Sequence, residues 1–477
     1  MRNAHLRYQC YPSVACVGKE TEVTVYPRDL AWYFREDVEY ELAVYGLEDD
    51  TLDYHEKISK DHPFRIENGC MKFIHTFEKE QEYKVVLAVK DEDPKQFQAQ
   101  RDLRMYAVEE DLYGLRPLKG DLHSHTYWSD GKDGITVTPA DYREEGFDFF
   151  SLTDHNRMYT SELAIDLFDG IPLGMHIMKG EEVHTPGSDM HIVNAGCKTS
   201  VTHRYVHDPE TYEAEVQEVA KSLAHIPEQF RDRIARATWA CREIHKSGGI
   251  AIFAHPYWCP QRYNVHTDWA DLLFEEKIFD AFELMGGIQN KNCNLQLALW
   301  QKHLVQGNVL SAVGSSDSHH HDFETDQFGR HFTVVFAKEN TTEAIQDAIC
   351  KGDCLAGEIP KTGNDEVRFY GTKMRLVFFA HFLWEHYFNE TWRLCVGEGI
   401  LMRRYAEGED VAAPLSALAG TVESFYKKFY GLAPAPAVLP ERKAFFDRVR
   451  ELQRAEGPIT KGSRIELYGS GANKRRD

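Results

Sequence analysis

Between residues 118 and 365, short apolar runs alternate with helix-patterned segments, and run after run ends on histidine, aspartate or glutamate. The predicted strands are Leu118–His123, Asp148–Thr153, His176–Glu182, Asp189–Ala195, Gly249–Ala254, Phe279–Leu284, Asn308–Gly314 and His331–Ala337. Alternation of this length is the pattern of βα units and predicts a barrel of the (β/α) kind. In such a barrel the C-terminal ends of the strands open on one face, so residues distant in sequence meet there. The helices are punctuated to match. Thr138 is placed to cap the first, Pro139 suits its first turn and Gly146 ends it. A later helix is expected from Pro227 to Lys246, stopped by Gly248 and Gly249.

The chemistry sits where the strands run out. Residues 120–125 read GDLHSH, and His123 and His125, two apart on an extended chain, point to one face and can share a metal ion. Residues 151–155 (SLTDH), 180–182 (GEE), 254–256 (AHP) and 316–319 (SDSH) repeat the design, Asp317 and His319 again being two apart. Imidazoles mixed with carboxylates, without thiolates, favour Zn, Mn or Fe at a reactive centre over a structural cysteine site. Two ions about 3.5–4 Å apart across a shared carboxylate are the usual device for activating water and clamping a transferring group.

In matching order, GDLHSHTYWSDG, TDHN, KGEEVH, an isolated MHI, AHP and GSSDSH resemble the polymerase-and-histidinol-phosphatase (PHP) superfamily over about residues 118–360. The resemblance implies an α/β fold, a distorted TIM-like (β/α) barrel, and a trinuclear cluster of divalent ions, usually Zn, Mn or Fe. It implies that His123, His125, Glu182 and Asp317 hold the first ion. Glu182 would bridge to a second, completed by His191 and His255, while Asp130, His155 and His319 hold the third. Asp130 stands where many relatives carry histidine, and as part of Ser-Asp-Gly it also reads as a turn residue. His191 lacks the usual following glycine, and Glu181 is a second candidate for the bridge. Most characterised members hydrolyse phosphoesters. The expected enzyme is therefore a metal-dependent phosphoesterase in which a metal-bridged hydroxide attacks a small phosphorylated substrate, with Asp317, His319, Glu182 and Arg157 as its catalytic set. The alternative is a metallohydrolase of carbamate, ester or amide bonds, because a β-sandwich ahead of such a barrel resembles a branch with those activities.

Around this set, Asp154 is expected to orient a ligand or support its loop, and Glu283 is a further candidate to face the site. His184, His203, His207, His225 and His245 read as surface residues, and His320 and His321 as either substrate contacts or exposed side chains. Arg157, Arg262 and Arg330 are the candidate guanidinium forks for an anion. Tyr127, Trp128, Tyr257 and Trp258 could wall a pocket. No GxxxxGK[ST] loop occurs, which excludes a P-loop nucleotide site.

The flanks differ. Residues 1–117 alternate polar and apolar residues at 21–26, 39–45, 71–77 and 82–89, with turns at 46–50 and 90–94, and predict a β-sandwich. The barrel is assigned 118–365. Residues 366–477 predict helices at Arg375–Gly397, Leu418–Tyr430 and Pro440–Glu456, an Ala/Pro connector at 432–440 and a frayed end at 469–477. A net charge of -21 argues against general nucleic-acid binding and against docking on an acidic membrane leaflet. The N-terminal residues show no apolar secretory segment, no apolar run is long enough to span a bilayer, and the ten cysteines form no CxxC pair. The expectation is a cytoplasmic enzyme for a small anionic substrate, compatible with a homo-oligomer.

Overall fold

The computed structural model describes residues 8–28, 33–49, 61–90, 102–287, 290–322, 326–360 and 366–456. Of the turn expected at 90–94 only Lys90 is among the described residues, and the frayed end expected at 469–477 lies outside them. The chain forms two compact units, one of Glu109–Lys427, the other of the residues up to Val108 together with those from Lys428 onward.

The smaller unit carries β1 (Tyr8–Tyr11), β2 (Val14–Cys16), β3 (Glu20–Pro27), β4 (Tyr40–Gly46), β5 (Arg65–Glu67), β6 (Cys70–Thr76), β7 (Gln81–Val89) and β8 (Asp102–Val108). They build two four-stranded sheets, β1-β3-β6-β5 and β2-β8-β7-β4, antiparallel except for β2 beside β8. In β7 the buried residues are Gln81, Tyr83, Val85 and Leu87, the period of two that places alternate side chains on one face. Tyr83, Val85 and Leu87 join Val23, Val25, Met71, Phe73 and Leu103 in a core shared by both sheets. The helix Pro440–Glu456 belongs to this unit, and the Tyr33 hydroxyl donates to Asp447 on it.

In the larger unit, β9 (Arg116–Asp121), β10 (Phe149–Ser151), β11 (His176–Met178), β12 (Gly180–His184), β13 (His191–Ala195), β14 (Ile250–Phe253), β15 (Ala281–Met285), β16 (Ser311–Gly314), β17 (His331–Ala337), β18 (Cys354–Glu358) and β19 (Arg368–Tyr370) follow in order. They form a six-stranded sheet, β11-β10-β9-β17-β18-β19, and a five-stranded sheet, β12-β13-β14-β15-β16. Parallel and antiparallel pairs occur in both: β9 runs parallel to β10 and antiparallel to β17, while β13 is antiparallel to both of its neighbours. Isolated bridges Ser124–Ser318 and His155–Glu182 tie the ends of one sheet to the other. Strands such as β14 and β15 are buried along their whole length, hence the unbroken apolar runs of the sequence.

Several elements differ from the sequence expectation for identifiable reasons. The single strand expected at His176–Glu182 is two, β11 in one sheet and β12 in the other. Gly180 allows the crossing, since a Cβ there would collide with the Ser151 hydroxyl. Strand β9 stops at Asp121, so His123 and His125 lie just beyond it. The helix Thr138–Glu144 has Val137, not Thr138, at its cap; Thr138 Oγ1 donates instead to the Gly134 carbonyl at 2.9 Å. Gly146, with φ +80°, does end it. Helices Thr202–His207 and Pro209–Ser222 had no counterpart in the sequence reading. The segment expected at 375–397 is helix Met374–Leu383, a π turn at Trp384–Phe388 and helix Asn389–Ala406. In that turn Trp384 stacks on Phe332 with ring centroids 5.2 Å apart. The helix expected at Leu418–Tyr430 is Thr421–Phe429, and a separate short helix, Ala412–Leu418, precedes it. Among the described residues no helix is long and apolar enough to cross a membrane, and all ten cysteines are free.

Candidate metal centre

The site is assembled from backbone outward. Asp121, buried at the end of β9, accepts the N–H groups of His123 and Ser316, each at 3.1 Å, and the Tyr142 hydroxyl at 3.2 Å. Burial pushes its carboxyl up to about 7. Asp317 N–H donates to the His123 carbonyl (3.0 Å) and His125 N–H to the Ser318 carbonyl (2.8 Å), so the segments after β9 and β16 run side by side. Asp317 holds φ +50°, a left-handed conformation costly for a non-glycine residue, of the kind that concentrates at functional sites. Asp154 accepts Thr126 N–H and Oγ1, both at 2.7 Å, and Ser129 Oγ at 2.6 Å, bracing the loop after His125.

Around Glu182 the side chains converge. Its Oε1 lies 2.8 Å from His191 Nδ1, 3.3 Å from His255 Nε2 and 3.4 Å from His123 Nε2. Its Oε2 lies 3.4 Å from His155 Nε2 and 3.5 Å from His125 Nε2. Asp317 Oδ1 approaches His125 Nε2 at 3.1 Å and His123 Nε2 at 3.3 Å. Asp130 Oδ1 is 3.1 Å from His155 Nε2 and 3.3 Å from His319 Nε2. All nine residues expected as ligands fall into sets whose donor atoms lie within 4.8 Å of one another: His125, Asp130, His155 and His319; His123, His255 and Asp317; His123, His125 and Glu182; Glu182, His191 and His255.

These residues fit metal ions. His123 Nε2, His155 Nε2, His191 Nδ1, His255 Nε2 and both carboxylate oxygens of Glu182 are buried and, despite these short approaches, make no well-aligned hydrogen bond among the described residues. Buried polar atoms are ordinarily paired, and so many orphans aimed at one point call for cations. Glu283 Oε2 sits 2.8 Å from His123 Nδ1, and His319 Nδ1 donates to the Asp317 carbonyl at 2.8 Å. Each bond fixes a tautomer with the Nε2 lone pair turned inward.

Electrostatics sort the imidazoles. Burial alone would lower His123, but Asp317, Glu182 and Glu283 raise it well above the usual range. His255 rises to about 8 and His319 to about 9, nearby carboxylates outweighing burial in both. Burial prevails at His125, held at about 4, and His191, at about 3. Asp317 and Asp130 stay well below the ordinary carboxylate range: against burial, His123 and His255 act on the first, His155 and His319 on the second.

The other candidates separate clearly. Glu181 faces away, bonded to Ser200 Oγ (2.7 Å), Val201 N–H (2.6 Å) and Asn194 (3.2 Å), because strand alternation turns it opposite to Glu182. His184, read as a surface residue, instead joins the cluster with Nε2 3.3 Å from Glu182 Oε2. The signal was present, for residues 182 and 184 share a face of β12. Arg157 donates to the His155 carbonyl at 3.3 Å and lines a different cavity, with Lys198 and His203. Arg262 pairs with Asp189 beside His191, whereas Arg330 is buried, one contact reaching the Ile359 carbonyl. Trp258 packs near His191, ring centroids 5.6 Å apart; Tyr257 is buried against Thr267; Tyr127 and Trp128 are exposed and stacked. His321 is buried on Asp141 and His320 bonds Asp133. His225 and His245 pair with Glu276 and Asp280, and the His203 ring packs tilted against that of His207.

An inward-facing cluster of imidazoles and carboxylates gathers where the two sheets meet, and its donor sets could hold divalent metal ions. No family model matches the chain. Over 102 residues it is 28% identical to the DNA polymerase/3'-5' exonuclease PolX of Bacillus subtilis, a match covering 21% of this chain and 17% of that protein. Among solved structures it is similar to a two-domain protein from Bacteroides vulgatus containing a predicted PHP-like metal-dependent phosphoesterase (23% identity, 51% of this chain and 65% of that one, TM-score 0.36). It is also similar to an amidohydrolase from Chromobacterium violaceum with bound sulfate (19% identity, 43% and 89%, TM-score 0.28). The chain thus spans less than two thirds of the length of PolX and of the Bacteroides protein.

Proposed function

We propose that this protein is a metal-dependent hydrolase of the PHP type, acting on a phosphoester of a small anionic substrate. The observation that carries the reading is the convergence of nine histidine and carboxylate side chains whose inward donor atoms include six buried orphans. In this reading the two sheets and their bridges make up the distorted barrel. His123, His125, Glu182 and Asp317 hold one ion, Glu182, His191 and His255 a second, and Asp130, His155 and His319 a third. Bound divalent ions supply Lewis acidity and lower the pKa of water toward neutrality. The chain's own work is orientation. Glu182 offers one oxygen to each of two histidine groups, Glu283 and the Asp317 carbonyl lock His123 and His319, and Trp258 and Arg262 border the approach. Arg157 supports the His155 backbone rather than the reacting atoms. The free cysteines fit a reducing compartment, and we place the enzyme in the cytoplasm.

The ordered motifs favour phosphoester chemistry, while the two-sheet unit ahead of them favours the second reading, cleavage of carbamate, ester or amide bonds. Hydrolysis of p-nitrophenyl phosphate and p-nitrophenyl acetate by Mn- or Zn-loaded protein separates them. Chelator-sensitive phosphate release, abolished in Asp317→Ala with the fold retained, is the expected result. Acetate cleavage alone transfers the assignment to the second reading, and a fully active, metal-replete Asp317→Ala sinks both.

A further inference from the structure

The segment after His255 folds back on itself. Trp258 N–H donates to the His255 carbonyl at 3.0 Å, Asn264 N–H to the Trp258 carbonyl at 2.9 Å and Val265 N–H to the Pro256 carbonyl at 2.8 Å. These bonds fix Trp258 beside the centre, its ring centroid 5.6 Å from that of His191 and 6.3 Å from that of His255. Trp258 is only half-buried, and with His191 it lines a cavity of about 410 Å³, a volume that suits a small organic group. An indole held in place at the edge of a reactive centre attracts another ring by offset or edge-on packing.

The charges of this cavity are matched. Its walls carry Trp258, Pro260 and Tyr263 together with the uncharged polar residues Ser188, Gln261 and Asn264. The guanidinium that lines it, Arg262, is paired with Asp189 of the same wall, and His184 and His191 turn ring nitrogens toward Glu182. Lys291 lies over the Tyr263 ring, 5.8 Å from its centroid, without lining the cavity. A second anionic group on a substrate would therefore meet the Asp189 carboxylate along with Arg262. It would find no unmatched guanidinium or ammonium among the described residues of the wall. Like charges brought together in a binding site are disfavoured.

Resting on the reading of the cluster as a metal-dependent phosphoester site, we propose that this cavity receives the organic part of the substrate and selects an uncharged, ring-bearing group through Trp258. The substrate class is then a phosphomonoester whose only anion is the reacting phosphate. The test is calorimetric titration of metal-loaded full-length protein with benzylphosphonate, ethylphosphonate and para-carboxybenzylphosphonate, with elemental analysis of each sample. The parent should bind benzylphosphonate about tenfold more tightly than either other probe. Trp258→Ala should lose the preference over ethylphosphonate and Trp258→Phe should keep most of it, both at unchanged metal content. Asp189→Asn, which frees Arg262, should bring the carboxylated probe to or above the affinity of benzylphosphonate. A metal-replete parent that binds the three probes equally, or a Trp258→Ala variant that keeps the ring preference, overturns the inference and leaves the metal reading standing. A parent that takes up no metal and binds none of the probes removes both.

Discussion

Glu283 touches none of the proposed ions, yet its Oε2 alone decides which nitrogen of His123 faces them. Outer carboxylates of this kind change metal affinity about 10–100-fold when altered. Glu283→Gln should therefore weaken metal binding by that factor in a competitive titration, and parent-like affinity would show that the contact is passive. The imidazoles also set a pH dependence. His255 at about 8 and His319 at about 9 are protonated in the metal-free protein near neutrality and must lose those protons to ligate. Metal uptake should release protons and tighten as pH rises from 6.5 to 9, by about tenfold per unit for each proton displaced; equal affinity across that range would contradict the assignment. At this scale the sequence was most informative where side chains repeat at a spacing of two, as in His123/His125 and Asp317/His319. The same spacing linked Glu182 to His184, the last residue of KGEEVH, which was read as a surface residue. Asp121 was illegible for another reason: its partners at His123, Ser316 and Tyr142 come from three separated segments.

The helices that back the site are held by buried charge. Arg143, on the helix after the His125 loop, is fully buried and donates to Glu398 at 2.7 Å and to the Phe147 carbonyl at 2.8 Å. Removing one partner of such a pair strands the other, a loss of about 3–5 kcal/mol. Glu398→Ala should lower unfolding stability by about that amount in urea; a change under about 1 kcal/mol would show that the pair is dispensable. Elements buried on all sides, such as β14 and β15, were legible as unbroken apolar runs. The break between β11 and β12 was not, because both halves are strand-like and their partners, β10 and β13, lie in different sheets. The π turn at Trp384–Phe388 depends on a ring stacking on Phe332, a long-range contact invisible to local pattern.

For the whole chain, a net charge of -21 coexists with a centre that gathers buried carboxylates and histidines around unpaired atoms. Ions that bind only the folded state stabilise it by mass action, about 4 kcal/mol at a thousandfold excess over Kd. Chelation should thus lower the melting temperature, and metal re-addition should restore it; a melting curve indifferent to chelator would argue against the centre. The sheet-rich start and helical later segments were readable from periodicity. That the last helix joins the sheet unit was not, since the contact of Tyr33 with Asp447 spans most of the chain. The most direct test of the central claim is anomalous diffraction at the Zn, Mn and Fe edges from crystals grown with those ions. The account predicts multiple peaks within about 2.0–2.3 Å of the nitrogen and oxygen donors of His123, His125, Asp130, His155, Glu182, His191, His255, Asp317 and His319. Metal-supplemented crystals with no anomalous peak at Glu182 would contradict it.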